Sequence, residues 1–466
     1  MNRQALPGAR LFGTDGVRGV ANRELTPELA LGIGRAAGGI VAARSPRERA
    51  IVVGRDTRLS GTMLEAAVVA GITSTGRDAL AVGVIPTPGV ARITVAVGAA
   101  GGVMISASHN PIEDNGIKVF GPDGFKLDDA GERELEAACD GEQDLPRPTH
   151  GGVGIVRSAP QLVERYVERL LEDAADLSSL TLVVDAAFGA AYEIAPRAFA
   201  QVGATVEPLH AQDDGSRINV ACGSTDLRLL ARRVRALAAE RPAAHVIGVA
   251  FDGDADRALF VDEAGDVKNG DHIMLMLGRD KKRRGILARD TVVGTVMSNV
   301  GLERALHAEG IGLVRAAVGD RYVLAEMRAH GFMFGGEQSG HVIDLERNTT
   351  GDGLATALAV ASLVVRDGRT LRELGAALTV APQVLVNVHT HDRSVLGDEA
   401  VQSAIARIEG ELGTTGRILV RASGTEPLIR VMIEGDDRTR IEHFAREVAE
   451  TVERADSGTS THRASP

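Results

Sequence analysis

Apolar and polar positions repeat one local plan three times along the chain. Ala50-Ile51-Val52-Val53 runs into the small polar turn Gly54-Arg55-Asp56-Thr57-Arg58 and then a helical pattern from Met63 to Ala70. Thr181-Leu182-Val183-Val184 leads to Asp185-Ala186-Ala187-Phe188-Gly189 and a helical stretch from Ala190 to Phe199. Thr291-Val292-Val293 leads to Gly294-Thr295-Val296-Met297-Ser298-Asn299 and the pattern Leu302 to Ala308. Each reads as a β-branched strand, a turn and an amphipathic helix. Strands alternating with helices predict α/β layers with mixed sheets. Separations of about 130 and about 110 residues are domain-sized, so three related α/β domains are expected. Three βα units inside larger unrelated domains would give the same pattern.

The pattern then changes. Val384-Leu385-Val386-Asn387-Val388, Arg417 to Arg421 and Ile429 to Ile433 read as strands, and Arg440 to Arg454 as an amphipathic helix. That is a small C-terminal α+β domain. The expected boundaries are 1–155, 156–257, 258–375 and 376–455. Residues 456–466, rich in Ser, Thr and Pro, read as a disordered tail. The basic run Arg279 to Arg284 reads as a solvated face.

Composition narrows the function. A chain of 466 residues is long for one core. A net charge of -11 argues against a nucleic-acid binder, whose footprint is a basic excess. Two cysteines, Cys139 and Cys222, provide no disulfide framework and fit a reducing compartment. No apolar leader is read at Met1 to Arg10, and no apolar stretch reaches the length of a membrane span. A cytoplasmic location, with no membrane partner, is expected. Aromatic residues are 3% with no Trp, so recognition should rest on hydrogen bonds and charge.

Four constellations carry the chemistry. In Met104-Ile105-Ser106-Ala107-Ser108-His109-Asn110-Pro111 an apolar run ends in small polar residues and a proline, a strand entering a tight loop. A serine there is a weak nucleophile unless activated or modified, and by itself reads first as a cap or turn residue. Phe251-Asp252-Gly253-Asp254-Ala255-Asp256-Arg257 follows an apolar run. Three carboxylates at alternate positions can converge on one hard cation, without which their charges would repel. An EF-hand loop is excluded, because Arg257 stands where it needs glycine and a strand precedes. A phosphatase of the haloacid-dehalogenase type, with Asp252 as nucleophile and Asp254 as acid, remains a rival on this motif, as does a plain acidic turn. Gly335-Gly336-Glu337-Gln338-Ser339-Gly340-His341 brings backbone close to a ligand and offers acceptors and donors for sugar hydroxyls. Arg421-Ala422-Ser423-Gly424-Thr425-Glu426-Pro427-Leu428-Ile429-Arg430 offers guanidinium forks, hydroxyls and backbone N–H groups to a phosphate.

Together, and in this order, the four resemble the signature loops of the α-D-phosphohexomutase superfamily. Asp114-Asn115-Gly116-Ile117-Lys118, Phe12 to Gly19, Val318 to Val323, Arg347 to Gly353 and Cys222-Gly223-Ser224-Thr225 also fit. The resemblance implies four domains around a central cleft, each supplying one loop. It implies a phosphoserine at Ser108, with Arg18, His109, Lys118 and His341 as its catalytic neighbours. It implies one Mg2+, held by Asp252, Asp254, Asp256 and the serine phosphate. Arg257, Gly319, Asp320, Arg321, Glu337, Gln338 and Ser339 would bind the sugar. Arg421, Ser423, Gly424, Thr425 and Arg430 would bind its phosphate.

Glucose and mannose mutases commonly have Met where this chain has Gln338, so the sugar loop resembles the glucosamine branch. The implied reaction interconverts glucosamine 6-phosphate and glucosamine 1-phosphate. Glucosamine 1,6-bisphosphate would be intermediate and activator, and the product would feed UDP-N-acetylglucosamine and cell-wall synthesis. A phosphoglucomutase or phosphomannomutase is the alternative within the superfamily. A silent sugar-phosphate-binding regulator is the alternative outside enzymes, disfavoured by Ser108 and all three aspartates together. The partners implied are small sugar phosphates, and a homodimer is compatible with the family. One departure is Asp185-Ala186-Ala187-Phe188-Gly189, where relatives often have Asp-Cys-Ala-Asn-Gly; it is expected to lie away from the chemistry.

Overall fold

The computed structural model describes residues 11–462 except 14, 45–49, 142, 242–244, 391 and 424–426. Internal contacts divide the chain into two units, Met1–Thr295 with Val314–Ala376, and Val296–Leu313 with Ala377–Pro466.

Three sheets lie wholly or mainly in the first unit. One has six strands: β1 (Val17–Val20), β2 (Ile51–Arg55), β3 (Ala79–Val84), β4 (Gly101–Ile105), β5 (Asp114–Phe120) and β6 (Val156–Ser158), in the order β1-β5-β4-β2-β3-β6. Strands β4, β2, β3 and β6 pair in parallel, and β5 and β1 join antiparallel. Strands β2 and β4 are buried almost throughout, so they read as unbroken apolar runs. The helices Pro27–Ala36 and Gly61–Ser74 cover this sheet. They approach closely because a Cβ at Gly34 would lie 2.2 Å from the Val68 carbonyl oxygen, and one at Gly71 2.3 Å from that of Leu31.

The second sheet comprises β7 (Leu180–Asp185), β8 (Thr205–Leu209), β9 (His245–Phe251), β10 (Ala258–Val261) and β11 (Val267–Lys268), in the order β11-β10-β9-β7-β8. Phe251 pairs antiparallel with Ala258, so the three aspartates occupy the tip of a β9–β10 hairpin. The third sheet comprises β12 (Thr291–Thr295), β13 (Gly312–Ala316), β14 (Phe334–Gly336) and β15 (Val342–Asp344), in the order β13-β12-β14-β15. Its β14–β15 hairpin carries residues 337–341. The buried helix Gly353–Asp367 starts from Asp352, whose carboxylate accepts the Ala355 N–H.

The second unit holds an antiparallel sheet of β16 (Gln383–His389), β17 (Gly416–Ala422) and β18 (Leu428–Gly435), with β18 central. The helices Glu399–Leu412 and Arg438–His462 pack on it.

The expected βα units are present in all three places. The helix Val300–Ala308 belongs by contacts to the second unit. Buried Glu434 on β18 accepts the Val300 N–H at 3.1 Å, Asn299 Nδ2 at 3.1 Å and Arg417 Nε at 2.6 Å. A buried carboxylate needs that many donors; the helix start supplies two and Arg417 on β17 the third.

The basic run closes the helix Gly270–Arg283. It is not simply a solvated face: Lys281 is buried and bonds Asp344 and Glu346. The last helix extends to His462, past Asp456, where a disordered tail was expected to begin; residues 463–466 lie outside the described residues. Among the described residues no helix is long and apolar enough to cross a membrane.

Candidate active site

Ser108 sits where β4 ends, buried and in the left-handed region at φ 53°. Few side chains adopt that conformation unaided. Here a fully buried arginine holds it. Arg58 donates to the carbonyl oxygens of Ser108 (2.9 Å), Asn110 (2.8 Å), Pro111 (2.5 Å) and Asp114 (2.9 Å), and to Asp56 through Nε (3.1 Å). Asn219 Nδ2 donates to the same Ser108 carbonyl at 2.8 Å. Asp56 in turn accepts the Ser106 hydroxyl at 2.5 Å, and Ser106 Oγ accepts the Ser108 N–H at 3.0 Å. Ser108 Oγ is thereby aimed at the acidic hairpin. It donates to Asp252 Oδ2 at 2.5 Å and lies 3.2 Å from His109 Nδ1.

Asp252, Asp254 and Asp256 are all buried, with ligand oxygens within 4.8 Å of one another. Burial, then the Asp256 and Asp254 charges, push the Asp252 carboxyl well above its usual range. Asp254 Oδ1 and Asp256 Oδ1 have no hydrogen-bond partner among the described residues. Buried acceptors left over in an all-oxygen donor set fit a hard divalent cation. The residues therefore pass the test for a metal of the magnesium type.

Positive charge surrounds this centre. Lys118 Nζ lies 2.8 Å from Asp254 Oδ2, 3.5 Å from Asp256 Oδ2 and 3.6 Å from Asp15 Oδ1. Burial works against its charge, but these three carboxylates outweigh it and keep the ammonium protonated. Thr87 Oγ1 also donates to Asp254 Oδ2, at 2.5 Å. Lys126 bridges Asp15 (2.8 Å) and Asp320 (2.5 Å). His341 lies 3.5 Å from Asp256 and 3.7 Å from Asp320; burial opposes its protonation, and Asp256 prevails, raising it to about 9. His109 moves the other way. Burial, then Arg257 and Arg18, pull it down to about 4. Arg18 donates to Asn110 Oδ1 at 3.0 Å and pairs with Asp15. Arg257 Nε lies 3.8 Å from Asp256 Oδ1. A cavity of about 320 Å³ borders Lys118, Lys126, Asp320 and Arg321.

The expected sugar-binding residues fall into two groups. Gly319, at φ 124°, donates its N–H to Glu337 Oε1 at 2.9 Å, so the two loops meet. Gln338 Nε2 donates to Asp271 Oδ2 at 3.1 Å, and the Ser339 hydroxyl is buried without a partner among the described residues. Arg321 is directed elsewhere, to Asp129 (2.9 Å) and Glu132 (2.8 Å) on the helix Asp129–Cys139.

In the second unit, Arg421 and Arg430 are register partners across β17 and β18, and Ser423 donates its N–H to the Leu428 carbonyl at 2.8 Å. Burial, then the Arg430 charge, pull Arg421 below its ordinary value. Two guanidinium groups at one hairpin end are the kind of donors that suit an anion. Gly424 and Thr425 lie outside the described residues.

Four phosphoglucomutase/phosphomannomutase domain models match the chain: domain I at residues 9–145, domain II at 164–265, domain III at 269–380 and the C-terminal domain at 385–451. A phosphoglucosamine mutase of Desulforudis audaxviator is 50% identical over 449 residues, 96% of this chain and 98% of that one. The chain belongs to the phosphoglucosamine mutase family. Among solved structures, a phosphoglucomutase/phosphomannomutase family protein of Burkholderia thailandensis superposes with a TM-score of 0.79 at 25% identity, covering 96% and 97% of the two chains. The N-acetylphosphoglucosamine mutase of Aspergillus fumigatus, solved with GlcNAc-6P and magnesium, shares the fold at a TM-score of 0.65 and 19% identity, with 97% of each chain covered.

For this family member, sequence reasoning missed the groups that hold the site. Asp56 and Arg58 looked like turn residues; the signal was a charged pair directly after a buried strand. Asp15 was passed over within the Phe12 to Gly19 motif, and Lys126, Thr87, Asn219 and Asp271 were missed as single polar residues far apart in the chain.

The segment 185–189 is not remote from the chemistry. The Ala190 N–H donates to the Gly253 carbonyl at 2.7 Å, and the Phe188 carbonyl accepts Thr57 Oγ1. A Cβ at Gly189 would lie 2.4 Å from the Gly253 carbonyl oxygen. Gly223, in the Cys222 motif, packs the same way: a Cβ there would meet the Phe251 carbonyl oxygen at 2.5 Å. These loops back the acidic hairpin.

Proposed function

We propose that the chain interconverts glucosamine 6-phosphate and glucosamine 1-phosphate in the cytoplasm, by way of a phosphoserine at Ser108 and bound glucosamine 1,6-bisphosphate. The observation that carries this reading is the 2.5 Å contact from Ser108 Oγ to Asp252, within a buried trio of carboxylates. Mg2+, held by Asp252, Asp254, Asp256 and the serine phosphate, would neutralise the transferred group.

In the forward direction the P–Oγ bond of phosphorylated Ser108 breaks as the sugar hydroxyl oxygen attacks phosphorus. The hydroxyl proton ends on Ser108 Oγ, where Asp252 accepts its hydrogen bond. The second half-reaction returns the other phosphate to Ser108. Lys118 and His341 stay cationic and orient the reacting oxygens. His109 stays neutral near pH 7, with its Nδ1 3.2 Å from Ser108 Oγ, and adds no positive charge beside the nucleophile. Arg18 and Arg257 face the phosphoryl group. Gly319, Asp320 and Arg321 form one wall of the sugar site, with Arg321 acting through its ion pairs. Glu337, Gln338 and Ser339 read the sugar. Arg421, Ser423, Gly424, Thr425 and Arg430 grip the non-reacting phosphate in either orientation.

The test is a steady-state comparison of glucosamine, glucose and mannose 6-phosphates with purified protein. Glucosamine 6-phosphate should give the highest kcat/KM. A higher value for glucose or mannose would leave only the superfamily assignment standing.

A further inference from the structure

A second set of metal-ligand side chains lies in the loops behind the acidic hairpin. Asp185 ends β7, His210 follows β8, and Cys222 precedes the helix Arg228–Glu240. One ligand atom from each lies within 4.8 Å of the other two. His210 Nδ1 is 3.0 Å from Asp185 Oδ1.

Hydrogen bonding accounts for only part of this group. Asp185 is fully buried, and its Oδ1 accepts the Ala187 N–H at 3.0 Å. Asp185 Oδ2 and His210 Nδ1 are buried with no hydrogen-bond partner among the described residues. A buried carboxylate oxygen without a donor is costly unless something else pairs it. The backbone is also shaped to bring the three together. His210 is at φ 49°, and its carbonyl accepts the Phe188 N–H at 2.8 Å. The Phe188 ring lies 4.9 Å from the His210 ring and stacks under Arg217 at 4.3 Å. Cys222 is fully buried against Ala187 and Phe188.

We propose that Asp185, His210 and Cys222 form a zinc site. One oxygen, one nitrogen and one sulfur suit a borderline-soft cation of tetrahedral habit, whereas magnesium takes oxygen ligands. The fourth position falls to water, reached past His210, the one member that solvent touches. Burial, and then the Asp185 charge, push the Cys222 thiol up to about 12, and a bound cation reverses that balance. The two metal centres then lie on either side of one loop system. Asn219, three residues before Cys222, holds the Ser108 carbonyl, and Ala190 holds Gly253. Zinc would stiffen the backing of the nucleophile loop without touching substrate.

The experiment uses full-length protein stripped with a chelator, then dialysed against Zn2+ or Co2+ with excess Mg2+ present. The variants are His210→Asn, Cys222→Ser and, as a control in the acidic trio, Asp254→Asn. Asparagine tolerates the left-handed backbone at 210, so that variant keeps the test intact if Cys222→Ser fails to fold. Wild type and Asp254→Asn should retain one zinc per chain, give cobalt–thiolate charge-transfer absorption, and show a higher Tm with Zn2+ than without. In His210→Asn the zinc affinity should fall by about tenfold or more, and its Tm should no longer respond to Zn2+. No retained zinc in wild type, equal zinc affinity in His210→Asn, or cobalt binding without the thiolate band would each overturn the proposal.

Discussion

The Arg58 guanidinium donates to the Ser108 carbonyl at 2.9 Å and to three further carbonyls of the same loop. The left-handed conformation of the nucleophile is thus fixed by a residue 50 positions earlier. Arg58→Lys keeps a charge beside Asp56 but cannot span four carbonyls. Each carbonyl left without a donor costs about 1–3 kcal/mol, much of it relieved by loop movement. The expected result is a kcat at least tenfold lower, a smaller change in KM and a Tm only a few degrees lower. A wild-type kcat would mean the loop holds its conformation without the clamp.

Asp254 takes hydrogen bonds from Lys118 and Thr87 through Oδ2 and keeps Oδ1 spare. Asp254→Asn retains the shape and removes one of three anions. Most turnover should be lost, and the Mg2+ concentration for half-activation should rise by about tenfold or more. Circular dichroism should show an intact fold. Full wild-type activity in the presence of a chelator would contradict the metal assignment.

Glucosamine differs from glucose in carrying an ammonium group at carbon 2. Asp271 holds the amide nitrogen of Gln338, which turns the amide oxygen the other way. Met at this position would offer no such acceptor, and specificity is a difference of affinities. Gln338→Met should therefore narrow the kcat/KM gap between glucosamine and glucose phosphates. Asp271→Asn should narrow it too, by freeing the amide to flip. An unchanged ratio in both variants would remove Gln338 from the specificity argument.

Burial, then the Lys268 charge, pull His272 down to about 4. Its unfolded value is about 6.5. A folded value below the unfolded one gives stability that is fully present above pH 6.5 and is lost as pH falls towards 4. His109 shifts in the same direction and adds to the loss. These two groups lower the stability between pH 7 and pH 5, and the His272 share is read by removing it. From pH 7 to pH 5 the Tm of wild type should drop relative to that of His272→Gln, which keeps a polar group near Asn269 but does not titrate. Parallel pH profiles for the two proteins would contradict the assignment.

How much of this was legible in the sequence varied with distance along the chain. Ile51–Arg55 and Leu180–Asp185 are short buried runs followed by small-residue turns, so strand and helix periodicity identified them. The three aspartates were legible because alternate carboxylates on one turn have few other uses. The anchoring of the helix Val300–Ala308 was not legible, since Glu434, which binds its start, lies 134 residues away. His341 and its two partners, Asp256 and Asp320, come from three separate segments of the chain. The burial of Lys281 was hidden because a basic run looks alike whether its middle residue faces water or two carboxylates.

The central claim is that Ser108 carries the transferred phosphate. The most direct measurement is a single-turnover transfer. Protein labelled with radioactive phosphate is mixed with unlabelled glucosamine 6-phosphate in Mg2+, quenched, and separated into peptide and sugar fractions. The account predicts acid-stable label on the peptide containing Ser108 before mixing and its appearance in glucosamine 1,6-bisphosphate afterwards. Ser108→Ala should take up no label. Acid-labile label on Asp252, or label that stays on Ser108 while turnover proceeds, would contradict it.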